Sequence, residues 1–200
     1  MKKRVIKGIG LIVIIIPLVW FGKLLYKNEL NPNPFIGIGD AIDSLDGVEV
    51  YYNGMVDHTG GRNLSPENYN LGLKYQCVEF VKRYYFEHFG HQMPDSYGHA
   101  KDFFDPSVND GTINRKRNLL QFRNPSGSMP RYGDILIFDG HAGNPFGHVA
   151  IVSKVDIGTV EIIQQNPGPF ASSRAKFKLF SDDDGFQIAD ERLLGWLGKR

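Results

Sequence analysis

Gln76-Cys77-Val78-Glu79-Phe80-Val81-Lys82-Arg83-Tyr84-Tyr85-Phe86-Glu87-His88-Phe89-Gly90 is the stretch on which the fold class turns. Cys77, Phe80, Val81, Tyr84 and His88 recur at helical spacing and share one side, with Glu79, Lys82, Arg83 and Glu87 mostly elsewhere. Gly90 is a natural stop, so a helix is expected over 76–89. A second, shorter helix is expected over 98–104, ahead of Asp105-Pro106. After Pro130 the character changes. Residues 134–138, 148–155 and 159–165 are short, β-branched runs bounded by Gly, Asn and Pro, which reads as strands. The gap at 156–158 is hairpin-sized, and 177–180 and 192–197 are candidate closing strands. Helices first and strands second predict an α+β domain, N-terminal helices packed on an antiparallel β-sheet.

Outward from that core, the chain has 200 residues, 42% hydrophobic and 22% charged, with a formal net charge of +1. This is globular composition with no electrostatic case for nucleic acid. One cysteine excludes an internal disulfide framework and multi-cysteine metal sites. The charge is uneven. Lys2, Lys3, Arg4, Lys7 and Lys23 face no acid within residues 1–26, which leaves 18 basic against 22 acidic residues beyond them. An apolar run follows the basic start, with Trp20, Phe21 and Tyr26 at its far end. No Ala-x-Ala cleavage site follows it, so the expectation is a basic cytoplasmic tail (1–7) and an uncleaved transmembrane signal-anchor (8–26). Asn31-Pro32-Asn33-Pro34 marks a linker, set at 27–46, ahead of one domain over 47–200. That arrangement predicts a single-pass membrane protein with its domain outside the membrane.

The chemistry converges on a cysteine and a histidine. Cys77 begins the helix, where peptide dipoles favour a thiolate, and is the candidate nucleophile. His148 opens a strand after Gly147 and is the candidate general base and acid. Period-two alternation places Val160, Ile162, Gln164 and Asn166 on one face and Glu161, Ile163 and Gln165 on the other. Gln164 is the preferred side chain to orient the imidazole, with Asn166 as the alternative. His88, His91 and His99 match no ligand spacing, so no metal or other cofactor is expected. His141 competes as base, from a loop of less fixed geometry.

Tyr75-Gln76-Cys77-Val78-Glu79-Phe80, Gly133-Asp134-Ile135-Leu136-Ile137-Phe138, Gly147-His148-Val149-Ala150-Ile151-Val152 and Gln165-Asn166 together resemble the CHAP family. These are cysteine, histidine-dependent amidohydrolases/peptidases of papain-like fold. Within that family the closest likeness is to the glutathionylspermidine amidase domains, and it extends to Leu194-Gly195-Trp196-Leu197. The resemblance implies Cys77 as nucleophile, His148 as general base, and an oxyanion hole from the Cys77 backbone N–H and the Gln76 side chain. One position departs: those amidases carry glutamate where this chain has Gln164. The function expected is a membrane-anchored thiol amidohydrolase acting on a peptidoglycan peptide or a glutathionylspermidine-like amide. The alternative is a catalytically weak CHAP-like module that binds cell wall or a partner.

Overall fold

The structure, a computed structural model, describes residues 31–183 and 185–199. The expected basic tail and transmembrane segment (1–7 and 8–26) fall outside the described residues. Among the described residues no helix is long and apolar enough to cross a membrane. The single-pass localisation expected from the sequence is thus not borne out by any helix among the described residues.

The expected helix is present as α1 (Cys77–Phe89). Gln76 is its N-cap in an extended conformation. Gly90 ends it at φ 60°, with its N–H donating to the Phe86 carbonyl and the His91 N–H reaching back to Tyr85. Such a left-handed stop favours glycine, which has no Cβ to clash. The second expected helix does not form. Residues 98–104 contain a single 3-10 turn, Lys101–Phe103, which ends at an extended Phe104. Asp105 precedes proline, which disfavours continuing a helix there.

Strands supply the rest of the regular structure among the described residues. β1 (Ala41–Leu45) pairs with β2 (Val48–Tyr51), and β3 (Arg62–Leu64) with β4 (Asn70–Leu73), as two small antiparallel sheets. β5 (Thr112–Asn114), β6 (Leu119–Arg123), β7 (Ile135–Phe138), β8 (His148–Asp156), β9 (Thr159–Ile163), β10 (Arg174–Asp182), β11 (Gly185–Ile188) and β12 (Leu193–Gly198) form one sheet in the order β11-β10-β9-β8-β7-β12-β6-β5. The expected α+β class, helices layered on a sheet, is thus overturned: the described chain is mostly β with a single α-helix. Its short strands before β7 lack a long apolar alternation, so their pairing, not their pattern, makes them strands.

The large sheet curls until β11 meets the segment after β6, where Ser126 and Phe186 exchange backbone hydrogen bonds of 3.1 and 2.8 Å. β7 is consequently buried on both faces. Ile135 and Ile137 join α1 in one core with Val149, Ile151 and Phe80. Leu136 and Phe138 face the second core, inside the curl, with Ala150, Val152, Ile162 and Trp196.

α1 packs on β4, β8 and β2. Its charged side is therefore inside the protein: Glu79, Lys82 and Arg83 are only 2%, 1% and 6% exposed. Lys82 Nζ donates to the carbonyls of Asn70 and Ser96 and lies 4.9 Å from the Tyr69 ring centre. Burial, then the charges of Arg117 and Arg62, lower its pKa to about 7 from 10.5. An unfolded chain, with the lysine at its ordinary value, binds the proton that the folded chain sheds. Stability should therefore rise with pH, by about 2 kcal/mol between pH 7 and 9, and this rise should be absent in Lys82→Met when both are unfolded in urea.

Candidate active site

Glu79 fastens the start of α1 to the rest of the fold. Its Oε1 accepts from Arg83 Nε at 2.6 Å and Asn63 Nδ2 at 2.8 Å, and its Oε2 accepts from Gln165 Nε2 at 2.8 Å. Gln165 also donates to the Gln76 carbonyl at 3.0 Å and accepts from the Tyr51 N–H at 2.7 Å. One buried carboxylate thus joins α1, the end of β9 and both small sheets. Gly72 permits the close approach: a Cβ there would lie 3.0 Å from Glu79 Cα, at φ +132°. Helical periodicity could not reveal this acid, because the cover over that face comes from distant strands.

His148 begins β8 opposite Phe138 on β7. Gly147 precedes it at φ +77°, where a Cβ would fall 2.5 Å from the Phe138 carbonyl oxygen, so glycine alone lets the strand enter here. Gln164, which follows β9, meets the ring: His148 Nε2 lies 2.9 Å from Gln164 Oε1. Gln164 Nε2 donates to the Ser172 carbonyl at 3.1 Å, which fixes Oε1 as the acceptor. Nε2 of the imidazole must then carry the proton, leaving the Nδ1 lone pair free to act as base. Burial lowers the His148 pKa to about 4 despite the Gln164 hydrogen bond, and the nearby Arg192 charge adds to the lowering. The ring is neutral at pH 7.

Cys77 is 8% exposed and belongs to the core between α1 and the sheet. Burial pushes its thiol up, while hydrogen bonds from the backbone of Val149, Val78 and Cys77 itself oppose the rise. The sulfur therefore lies against the residue that follows His148. Among the described residues no hydrogen bond joins it to the imidazole.

Gln76 and Asn166 form a separate pair. Gln76 Nε2 donates to the carbonyls of His58 at 2.6 Å and Val56 at 3.3 Å, which occupies both of its N–H groups. Its Oε1 accepts from Asn166 Nδ2 at 2.9 Å. The chain turns at Asn166, φ +58°, so this side chain leaves strand alternation and meets α1 instead of His148. His148, Gln164 and Asn166 line a cleft of about 430 Å³ with Phe138, Phe177, His141, Asn144 and Arg192. Cys77 is not among the residues that line it. His141 sits in its own small turn, bonded through the backbone to Asn144. Among the described residues no group of three His, Cys, Asp or Glu is placed to hold a metal ion.

Residues 68–166 match the model of the CHAP domain. Trypanothione synthetase of Crithidia fasciculata is 30% identical over 158 residues, covering 73% of this chain and 24% of that protein. The bifunctional glutathionylspermidine synthetase/amidase of Escherichia coli K12 is 36% identical over 98 residues, 48% of this chain and 16% of that protein. The chain thus spans a quarter or less of these relatives. Among solved structures, Ly7917 overlays on 52% of this chain at 21% identity with a TM-score of 0.33, too partial an overlay to transfer its chemistry.

Three sets of outcomes are expected. Glu79→Ala should lower the unfolding free energy by about 3–5 kcal/mol in urea titration, since it leaves the buried Arg83 guanidinium without its anionic partner, still holding the Glu49 carbonyl. The His148 ring should titrate near 4 by NMR, and stability should fall as pH drops from 6.5 toward 4, because the unfolded imidazole takes its proton first. Gln164→Glu should move that titration upward, since a carboxylate favours the imidazolium.

Proposed function

Residues 68–166 of this chain are a CHAP domain, and from that premise we propose that the protein hydrolyses an amide bond with Cys77 as nucleophile and His148 as general base. The observation that carries this reading is the start of β8. There the sulfur rests against the Val149 backbone while Gln164 holds the Nε2–H of His148, leaving Nδ1 as the basic nitrogen.

In the proposed cycle Nδ1 takes the thiol proton as the sulfur adds to the amide carbonyl. Backbone N–H groups at the start of α1 receive the developing oxyanion, the Cys77 N–H first among them. Gln76 is a weaker candidate for that role because both of its side-chain donors are already engaged. The imidazolium then returns its proton to the leaving amine. A water, deprotonated by Nδ1, cleaves the thioester and restores the thiol. Gln164 orients the ring without a full negative charge, so the resting pair is neutral thiol and neutral imidazole, and activation waits for substrate. The relatives favour a glutathionylspermidine-type amide, in which glycine is joined to a polyamine. Peptidoglycan stem peptides are the second substrate class.

A second reading, a CHAP-like binding module of little activity, is favoured by the burial of the thiol and its raised pKa. Incubation with glutathionylspermidine and, separately, with muropeptides separates the two. The hydrolase should release a new amine from one pool, seen by mass spectrometry, and Cys77→Ala and His148→Ala should each lower that rate at least about 10³-fold. Release of no amine from either pool by a folded preparation leaves the binding module standing.

A further inference from the structure

We propose that the cleft beside His148 holds a carboxylate of the substrate, and that Arg192 is the residue that selects for it. This rests on the amide-hydrolase reading and adds to it the chemical class of the group that the cleft recognises. Arg192 lines the cleft together with His148 and Gln164. It is presented from a rigid turn: its N–H donates to Asp190 Oδ1 at 2.8 Å, and its carbonyl accepts from the Asp139 N–H at 2.7 Å, at the end of β7. The backbone is therefore pinned on both sides of the residue, while its side chain stays 47% exposed.

The guanidinium is not spent within the protein. Its ion pair with Asp190 spans 3.8 Å, well beyond the 2.7–2.9 Å of a charge-assisted hydrogen bond. Asp190 already uses that same oxygen to accept from the backbone. A solvent-exposed planar fork of N–H donors, not closed onto Asp190, in the lining of a partly apolar cleft matches the two oxygens of a carboxylate.

A second observation in the same cleft also calls for a ligand. Asn166 is 8% exposed, and its Oδ1 is buried with no hydrogen-bond partner. Its Nδ2 is held by Val56 and Gln76, so the amide cannot flip to relieve the oxygen. An N–H donor from a peptide-like substrate would satisfy it. An anion fork and an orphaned acceptor in one cleft fit a ligand bearing both a carboxylate and an amide N–H. A bound carboxylate would also cancel the charge that Arg192 sets against an imidazolium at 148, so seating the acid favours proton transfer from the thiol.

Calorimetric titration of the whole protein with glutathione and with the dipeptide L-Ala–D-Glu, each beside its methyl ester, tests this without requiring turnover. At least one free acid should bind more tightly than its ester. Arg192→Ala should weaken binding of that acid about 10- to 100-fold and leave the ester unchanged, with Arg192→Lys in between. Both variants keep the backbone bonds of the turn, and their melting temperatures should match the parent. Equal binding of acid and ester, equal loss of both in Arg192→Ala, or no binding of either acid at millimolar concentration overturns the proposal. Should the acid bind as expected while neither substrate pool is cleaved, the hydrolase reading fails and the carboxylate site stands.

Discussion

A carboxylate sealed inside the protein holds this structure together. Glu79 ties α1 to Asn63 on β3, to Gln165 after β9, and through Arg83 to the Glu49 carbonyl on β2. A buried charge is costly unless every lone pair finds a donor. Here the donors come from segments far apart in the chain, and satisfying the acid draws them to one place. The same cluster grips the Gln76 carbonyl, one residue before the cysteine. Position of the thiol relative to β8 is thus a consequence of where Glu79 must sit.

The chemistry at the other side of the site is set by a neutral partner. Gln164 fixes the imidazole tautomer as an acid would, because orientation needs only an acceptor at Nε2. It does not supply the charge that would stabilise an imidazolium. Burial and Arg192 both act against protonation of His148, and burial also pushes the Cys77 thiol up. In the proposed cycle the work of charge separation falls on the substrate and on the amides at the start of α1.

Features governed by local periodicity were legible. The helix at 77–89, its glycine stop and strands β7, β8 and β9 follow from spacing and β-branched runs, and strand alternation turned Gln164 toward the neighbouring strand of His148. Alternation failed two residues later, where Asn166 adopts a left-handed backbone and joins Gln76. Helical spacing assigned Glu79, Lys82 and Arg83 away from the core, and the two small sheets bury that side regardless. The helix expected at 98–104 shrinks to one 3-10 turn because Phe104 is extended and Pro106 disfavours helical backbone at Asp105.

The residues alone determined which chemistry was available: one thiol at a helix start, one imidazole at a strand start, and an amide of the right parity to orient it. Those are properties of short segments, each carried by its own spacing. Tertiary structure decided that the thiol is buried, that the side-chain donors of Gln76 are occupied, that the sheet closes past β11, and that Arg192 enters the cleft of His148. Each of these depends on packing or hydrogen bonds between segments far apart in the chain, and no local pattern encodes which distant group will supply the partner.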